Sequence, residues 1–154
     1  MTSCQIKFRT NLGGPDTLTY QIILPFPISA NRIWRYTGNR ALWRGGRATG
    51  AKYVTIAPAY ARWIKAADAL WLTQKQTLLP EKLGRYAVNV RLASFMRRSN
   101  QDGDNLMKCI NDWLQRVEII HNDCLCDSWG GCWALIEEEC IVTVIGEPYY
   151  DLRR

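Results

Sequence analysis

A run of apolar residues at helical spacing sets the strongest limit on how this chain can fold. Residues three and four apart share one face of an α-helix. That period is kept by Tyr60, Trp63, Ile64, Ala67, Leu70 and Trp71. Pro58 stands just before them, and proline suits the first turn of a helix. We therefore predict an amphipathic helix from residue 58 to about residue 77, with its tryptophans in the core.

A second helix and several strands follow from similar patterns. This helix starts near Asp104. Its apolar face consists of Leu106, Ile110, Trp113, Leu114 and Val117. Alternating or β-branched residues predict strands over 17–24, 53–56, 88–95 and 140–145. A turn is expected at 79–84, and Gly130 with Gly131 is expected to break the chain.

Length and composition favour one globular domain. The chain has 154 residues, of which 47% are hydrophobic, enough for one core but short for two. Strands and helices mix without a regular βαβ repeat. We therefore predict an α+β fold over residues 1–154, a single domain with a mixed β-sheet packed by two main amphipathic helices.

Charge is distributed unevenly along the chain. Residues 1–101 hold 16 lysines and arginines against 3 aspartates and glutamates, whereas residues 102–154 hold 4 against 11. A basic surface of this size predicts a polyanionic partner, and nucleic acid is the commonest one. The plainer interpretation is a soluble basic protein. The acidic half needs its own explanation, because carboxylates repel phosphates unless a cation lies between them.

Segment 29–50 is predicted to be a basic, aromatic loop, with room for a hairpin. Its arginines are Arg32, Arg35, Arg40, Arg44 and Arg47, interleaved with Trp34, Tyr36 and Trp43. Such residues suit contact with phosphates and stacking on exposed bases. The competing interpretation is a surface loop whose aromatic side chains pack locally.

The cysteines and the absence of long apolar runs bear on location and metal binding. Six cysteines with no apolar export signal in the first ten residues are expected to be reduced thiols. No apolar run approaches the ~18 residues of a membrane span, so we expect a cytoplasmic protein. One hypothesis is a zinc site from His121, Cys124, Cys126 and Cys132. Their Cys-x-Cys spacing fits zinc poorly, which favours cysteines acting as small buried apolar residues.

The residues most suited to catalysis begin the acidic half. Asp102 and Asp104 are two apart, so in an extended backbone their side chains point the same way. Helix capping explains one such aspartate better than two. A helix over 104–116 is ~20 Å long, and residues 117–123 can span ~23 Å. Asp123 can therefore return to the start of that helix.

Three carboxylates at one place call for a cation. Oxygen ligands favour Mg²⁺ or Mn²⁺, and such an ion also suits phosphodiester hydrolysis. Lys108, one turn after Asp104, could offer its charge to a phosphate, although a solvated lysine is the simpler interpretation. Asp112 is expected either to support the metal ligands from behind or to pair with Lys108, rather than to bind the metal itself.

Two pieces of this sequence resemble a known family. They are Leu24-Pro25-Phe26-Pro27-x-Ser29-x-Asn31-Arg32, and Asp102-Gly-Asp104-Asn105-x-x-Lys108 followed by Asp112 and Asp123. Together they resemble the RusA family of Holliday-junction resolvases, many of which come from phages or prophages. The resemblance implies a homodimeric, Mg²⁺-dependent endonuclease that nicks four-way DNA junctions symmetrically. It also implies that Asp102, Asp104 and Asp123 bind the metal and that Lys108 is the catalytic lysine.

The sequence departs from that family at two places. The family usually has two aspartates where this chain has Asn122-Asp123, and the cysteine-rich stretch and the loop at 38–50 lie outside its pattern. These departures affect substrate choice more than metal binding.

From these observations we expect a structure-selective DNA endonuclease. Its DNA contacts are predicted to be Asn31, Arg32, Arg35, Arg40, Arg44, Arg47, Arg97 and Arg98. Two symmetric cuts require two active sites, hence a twofold dimer, with the helix at 58–77 or the C-terminal strand as interface. The alternatives are a basic DNA-binding protein without catalysis, in which the aspartates are caps, and a zinc-stapled interaction module.

Overall fold

The main feature of the fold is a mixed four-stranded sheet. The computed structural model describes the chain over residues 16–37, 43–44, 47–48, 53–78, 81–99 and 103–150. The helices are α1 (Pro58–Leu78) and α2 (Asp104–Arg116). The strands are β1 (Leu18–Leu24), β2 (Trp34–Thr37), β3 (Trp43–Arg44), β4 (Arg47–Ala48), β5 (Tyr53–Ile56), β6 (Leu83–Ala93), β7 (Cys126–Ala134) and β8 (Cys140–Pro148).

The strand order β1-β8-β6-β7 makes the sheet mixed. β8 pairs antiparallel with both β1 and β6, and β7 pairs parallel with β6. Parallel strands need a crossover connection, and α2 supplies it between β6 and β7. Two small antiparallel pairs, β2 with β5 and β3 with β4, account for the other strands. The prediction of a single α+β domain with two main helices is confirmed.

The period-two pattern of β1 and the helical period of α1 both place apolar side chains in the core. Ile22 and Leu24 of β1 are almost fully buried. Trp63 and Trp71 of α1 are buried as predicted. Gln74 of α1 bonds to both backbone groups of Ile23, with its Oε1 accepting from the N–H at 2.8 Å and its Nε2 donating to the carbonyl at 2.9 Å. This side chain therefore takes the place of a strand partner along the edge of β1.

α2 buries the face that the sequence predicts. Leu106, Ile110 and Leu114 are essentially inaccessible to solvent. Trp113 is also buried, and its ring meets Trp71 edge-on with the centroids 6.0 Å apart. No helix in the described part of the chain is both long and apolar enough to cross a bilayer.

The five cysteines within the described ranges form no disulfide. Cys140 is fully buried, as predicted for the late cysteines, and so is Cys109. Cys126 and Cys132 are only partly buried and Cys124 is exposed, so the prediction of a buried apolar residue is wrong for Cys124.

One local prediction is wrong, and one predicted strand has different bounds. Gly130 and Gly131 lie inside β7 and do not break the chain. A Cβ at Gly131 would come within 3.3 Å of the Val90 carbonyl oxygen, so glycine there permits close approach of two strands. The strand predicted at 88–95 begins earlier, at Leu83, because its first residues pair with the end of β8. It ends at Ala93, where a 3₁₀ turn follows.

One charged group ties the two helices together. Both Oδ atoms of Asp68 in α1 accept hydrogen bonds from the Arg116 guanidinium, at 2.7 and 2.8 Å. Oδ1 also accepts from Nε1 of Trp113 at 3.0 Å. The Arg116 guanidinium, with help from Trp113, holds the pKa of Asp68 below its usual value.

The Asp68 pair predicts a stability difference that depends on pH. Because the folded-state pKa is lowered, the stabilisation is present above the unfolded pKa and is lost as pH falls through the folded one. We expect Asp68→Asn to lower the free energy of unfolding at pH 7 by about 1 kcal/mol. The gap between variant and wild type should narrow below pH ~4. Urea unfolding at pH 7, 5 and 3 measures it, and a gap independent of pH would contradict the assignment.

Candidate functional site

A cleft of about 260 Å³ opens where β1 and β6 end. One wall comes from the segment after β1 and the other from the turn after β6. Its lining is Phe26, Pro27, Ile28, Ser29, Arg32, Phe95, Met96, Arg97 and Arg98. The fold therefore brings the Pro-Phe-Pro motif next to the arginines that precede the Asp-x-Asp motif. We call this feature the arginine cleft.

Trp133 of β7 holds the two walls together. Sheet register aligns Leu24, Cys140, Leu92 and Trp133 in one row across the four strands. Phe26 stacks on the Trp133 ring with centroids 6.0 Å apart and planes inclined by 23°. The Arg97 guanidinium carbon lies 5.7 Å from the centroid of the same ring, a cation–π contact.

Hydrogen bonds fix the segment after β1. The Pro25 carbonyl accepts from Nε1 of Trp63 at 3.2 Å. The Phe26 N–H donates to the Glu139 carboxylate at 2.7 Å. The wall that carries Arg32 is thus anchored to α1 and to the start of β8.

The arginine cleft is cationic and aromatic. Arg32, Arg97 and Arg98 line it, and no carboxylate does. Arg32 and Arg97 form no ion pair with any residue in the described ranges. Phe95 leaves 68% of its surface exposed beside them. Cations with an exposed aromatic ring suit a phosphate and a nucleobase.

The Asp-x-Asp segment begins α2 next to this cleft. Gly103 lines a small cavity together with Trp129, Gly131 and Trp133, so one tryptophan borders both the cleft and the start of the helix. Gly103 is the N-cap residue, and its carbonyl accepts from the Leu106 N–H at 3.0 Å. An aspartate therefore does not take the N-cap position.

The described residues place the predicted aspartates unequally. Asp104 is the first residue of α2, while its side chain and all of Asp102 lie outside the described residues. Asp123 is exposed and opens a short 3₁₀ turn just before β7. The Tyr86 hydroxyl donates to the Asp123 backbone carbonyl at 3.4 Å. Asp123 precedes Trp129, which lies beside Gly103, by six residues or at most ~20 Å of chain.

Lys108 lies on the exposed side of α2, one turn from Asp104. Its Nζ is 3.1 Å from Oδ1 of Asp112, an i,i+4 ion pair. The prediction that Asp112 is a partner of Lys108 is confirmed. The ammonium group of Lys108 is therefore held at the helix surface by a single carboxylate and is not buried.

Metal ligation depends on which side chains converge. Within the described ranges, no three His, Cys, Asp or Glu side chains are grouped to hold an ion, and two of the three predicted aspartates fall outside that comparison. The proposed zinc ligands are His121, Cys124, Cys126 and Cys132, and they are not grouped. His121 instead stacks on Tyr149 with centroids 3.8 Å apart, and burial raises the pKa of the Cys126 thiol.

The remaining predicted DNA contacts are spread along the first half of the chain. Asn31 and Arg32 are exposed on a 3₁₀ turn, and Arg35 is exposed on β2. Arg44 and Arg47 face each other in the β3–β4 register, so a hairpin within the predicted loop is confirmed. Their side chains, and Arg40 altogether, lie outside the described residues.

Two site residues escape sequence reasoning. The sequence patterns place Phe95 only at the end of a predicted strand and assign no element or role to Trp133. The signal for Phe95 was a large aromatic just before two arginines. Trp133 gives no local signal, because its role comes from contact with Phe26, which is 107 positions away.

Comparison with models of known protein families finds no match, and no curated protein matches the sequence.

The arginine cleft predicts a salt-sensitive contact with DNA. Each lost phosphate contact lowers the slope of log K against log salt by about 0.9. Arg32→Ala with Arg97→Ala should therefore flatten the slope for DNA by about 1.8. The matched control is Lys75→Ala with Arg85→Ala, which removes two exposed cations outside the cleft. Equal slopes for the two double variants would contradict a specific role of the cleft.

Proposed function

We propose that this protein is a metal-dependent, structure-selective DNA endonuclease that resolves four-way junctions by paired symmetric nicks. The observation that carries the proposal is the arginine cleft beside the start of α2. Arg97 and Gly103 both border Trp133. Phosphate-binding groups thus adjoin the segment that carries Asp102 and Asp104. Binding and cutting of one DNA strand need this proximity.

The three aspartates would hold the metal. Asp102, Asp104 and Asp123 offer carboxylate oxygens only, which Mg²⁺ and Mn²⁺ accept. The Asp123 side chain is exposed and forms no ion pair within the described ranges, so its charge is available for a cation. When bound, such an ion lowers the pKa of a water molecule and stabilises charge on the scissile phosphate.

The cations of the chain position the DNA in this proposal. Arg32 and Arg97 bind phosphates next to the one that is cut. Lys108 can exchange Asp112 for a phosphate oxygen, because an exposed ion pair is weak and both groups lie at the surface. A substrate phosphate thereby gains a cation one helical turn from Asp104.

A DNA-binding protein without catalysis is the main alternative. It shares the arginine cleft but assigns the aspartates to the helix terminus. Gly103 takes the N-cap position, so N-capping itself accounts for neither aspartate, while Asp104 in the first turn suits the positive end of the helix dipole in both interpretations. The cytoplasm remains the expected location, and DNA remains the expected partner.

Cleavage of a defined substrate tests the proposal. A labelled four-way junction should be cut with Mg²⁺ but not with EDTA, and the linear duplex of the same sequence should stay intact. Asp102→Asn and Asp123→Asn should each reduce cleavage more than tenfold, because tenfold is only ~1.4 kcal/mol and loss of a metal ligand costs more. Both variants should still bind the junction, since they lose negative charge.

The control for the aspartate variants is Asp127→Asn, which alters an exposed carboxylate paired with Arg85 at 3.0 Å. It should cut like wild type. Full activity of Asp123→Asn would remove that residue from the metal site, and binding without cleavage by the wild type would favour the non-catalytic alternative.

Junction resolution also predicts a homodimer, because two cuts related by a twofold axis need two active sites. Trp63 and Trp71 of α1 are buried within the protomer and β8 is an inner strand, so these side chains belong to the core. Leu70 and Leu72 of the same helix are exposed and are available for an interface. Sedimentation equilibrium should give twice the 17.7 kDa chain mass, and a cruciform plasmid should become linear with little nicked circle. A monomeric mass with accumulating nicked circle would exclude paired cutting.

A further inference from the structure

We propose that the arginine cleft holds one unpaired nucleotide of branched DNA, and that this contact makes the protein prefer branched over linear DNA. The inference rests on the proposed function and deepens it, because it names what the site recognises. It draws on the size of the cleft, its aromatic rim and the fixed position of Arg97.

The size of the cleft selects a single nucleotide. Its volume of about 260 Å³ is just below the ~300–1,000 Å³ typical of small-molecule sites. A double helix, whose major groove alone is ~12 Å wide, cannot enter it. A single base with its phosphate, turned out of the helix, has a volume of the same order as the cleft.

The rim offers a surface for the base. Phe95 has no polar atom, and 68% of its surface is exposed between the cleft and solvent. Its neighbours Arg97 and Arg98 are charged, so a hydrophobic partner protein is a poor match for this rim. An aromatic ring beside guanidinium groups suits base stacking, which tolerates every sequence because all bases have a π-face.

The position of Arg97 suits the phosphate. Its guanidinium packs on Trp133, and Trp133 is itself stacked on Phe26. A cation–π contact does not use the N–H donors of the guanidinium, which stay available for a phosphate, and it reduces the mobility that would otherwise be lost on binding. The Glu139 carboxylate accepts a hydrogen bond from the Phe26 N–H at 2.7 Å and does not line the cleft.

Selectivity for branched DNA follows from the cost of extrusion. Turning a base out of a paired duplex costs unstacking and unpairing energy, and the cost is least where the base is already unpaired. The base pairs at a branch point are the easiest to open, because strand exchange interrupts their stacking, whereas every internal pair of a linear duplex is stacked on both sides. The cleft therefore discriminates by DNA structure without reading sequence.

The test compares two junctions in EDTA, where no cutting occurs. One carries an unpaired thymidine at the branch point, and the other carries an abasic site in its place. By fluorescence anisotropy, the wild type should bind the first about tenfold more tightly, within the range of aromatic–base stacking. Phe95→Ala should remove that preference, so that this variant binds both junctions equally, while Phe95→Trp should keep it.

The matched control is Tyr150→Ala. Tyr150 is an aromatic residue of equal exposure, 69%, that lies outside the cleft, so its variant should retain the preference. The base-to-abasic ratio is measured within each variant, so it is independent of any change in the folded fraction. Equal binding of both junctions by the wild type, or an unchanged ratio in Phe95→Ala, would overturn the inference.

Cleavage with Mg²⁺ separates this inference from the proposed function. A wild type that prefers the unpaired base but cuts no junction retains the nucleotide site and loses the endonuclease assignment. A wild type that cuts junctions without any base preference retains the endonuclease assignment and loses the nucleotide site.

Discussion

Burial of one face of α2 against the sheet is the interaction on which the rest of the structure depends. Leu106, Ile110 and Leu114 are fully buried, and each contributes about 1.5–3 kcal/mol relative to exposure. Because α2 joins two parallel strands, it must run back against their direction. Its first turn therefore lies towards the end of β6, where Gly103 borders Trp133, and the Asp68 pair with Arg116 secures its last turn.

This geometry concentrates opposite charges in one connection. The stretch between β6 and α2 carries Arg97 and Arg98 at its start and Asp102 at its end. Arginines at this point attract a phosphate backbone, while the aspartates repel it unless a cation intervenes. A bound divalent ion would turn that conflict into a device that places the phosphate. The basic first half and the acidic second half of the chain therefore meet in this connection.

Local patterns predicted most elements, and non-local pairing decided the rest. The periods of α1, α2 and β1 give their buried faces directly, because each depends on neighbouring residues only. The prediction that Gly131 breaks the chain was wrong because this glycine allows a close approach to Val90 on another strand, which its neighbours in sequence do not reveal. Only part of the arginine cleft could be predicted from the sequence. Arg32 and Arg97 are cations in recognisable motifs, but their proximity depends on the strand order β1-β8-β6-β7, which no local period encodes.

The proposed recognition and the proposed chemistry occupy opposite ends of one short connection, which limits where a cut can fall. Residues 98 and 102 are four positions apart, so they are separated by at most ~13 Å of chain. Successive phosphates of a DNA strand advance ~3.4 Å along the helix axis. Because the reach of the side chains adds to this backbone separation, a nucleotide held in the arginine cleft would keep the scissile phosphate within a few nucleotides of the branch. Since Phe26 and Arg97 both pack on Trp133, the position of the bound nucleotide would be set by folded structure, and base sequence would need to contribute only through the ease of unstacking.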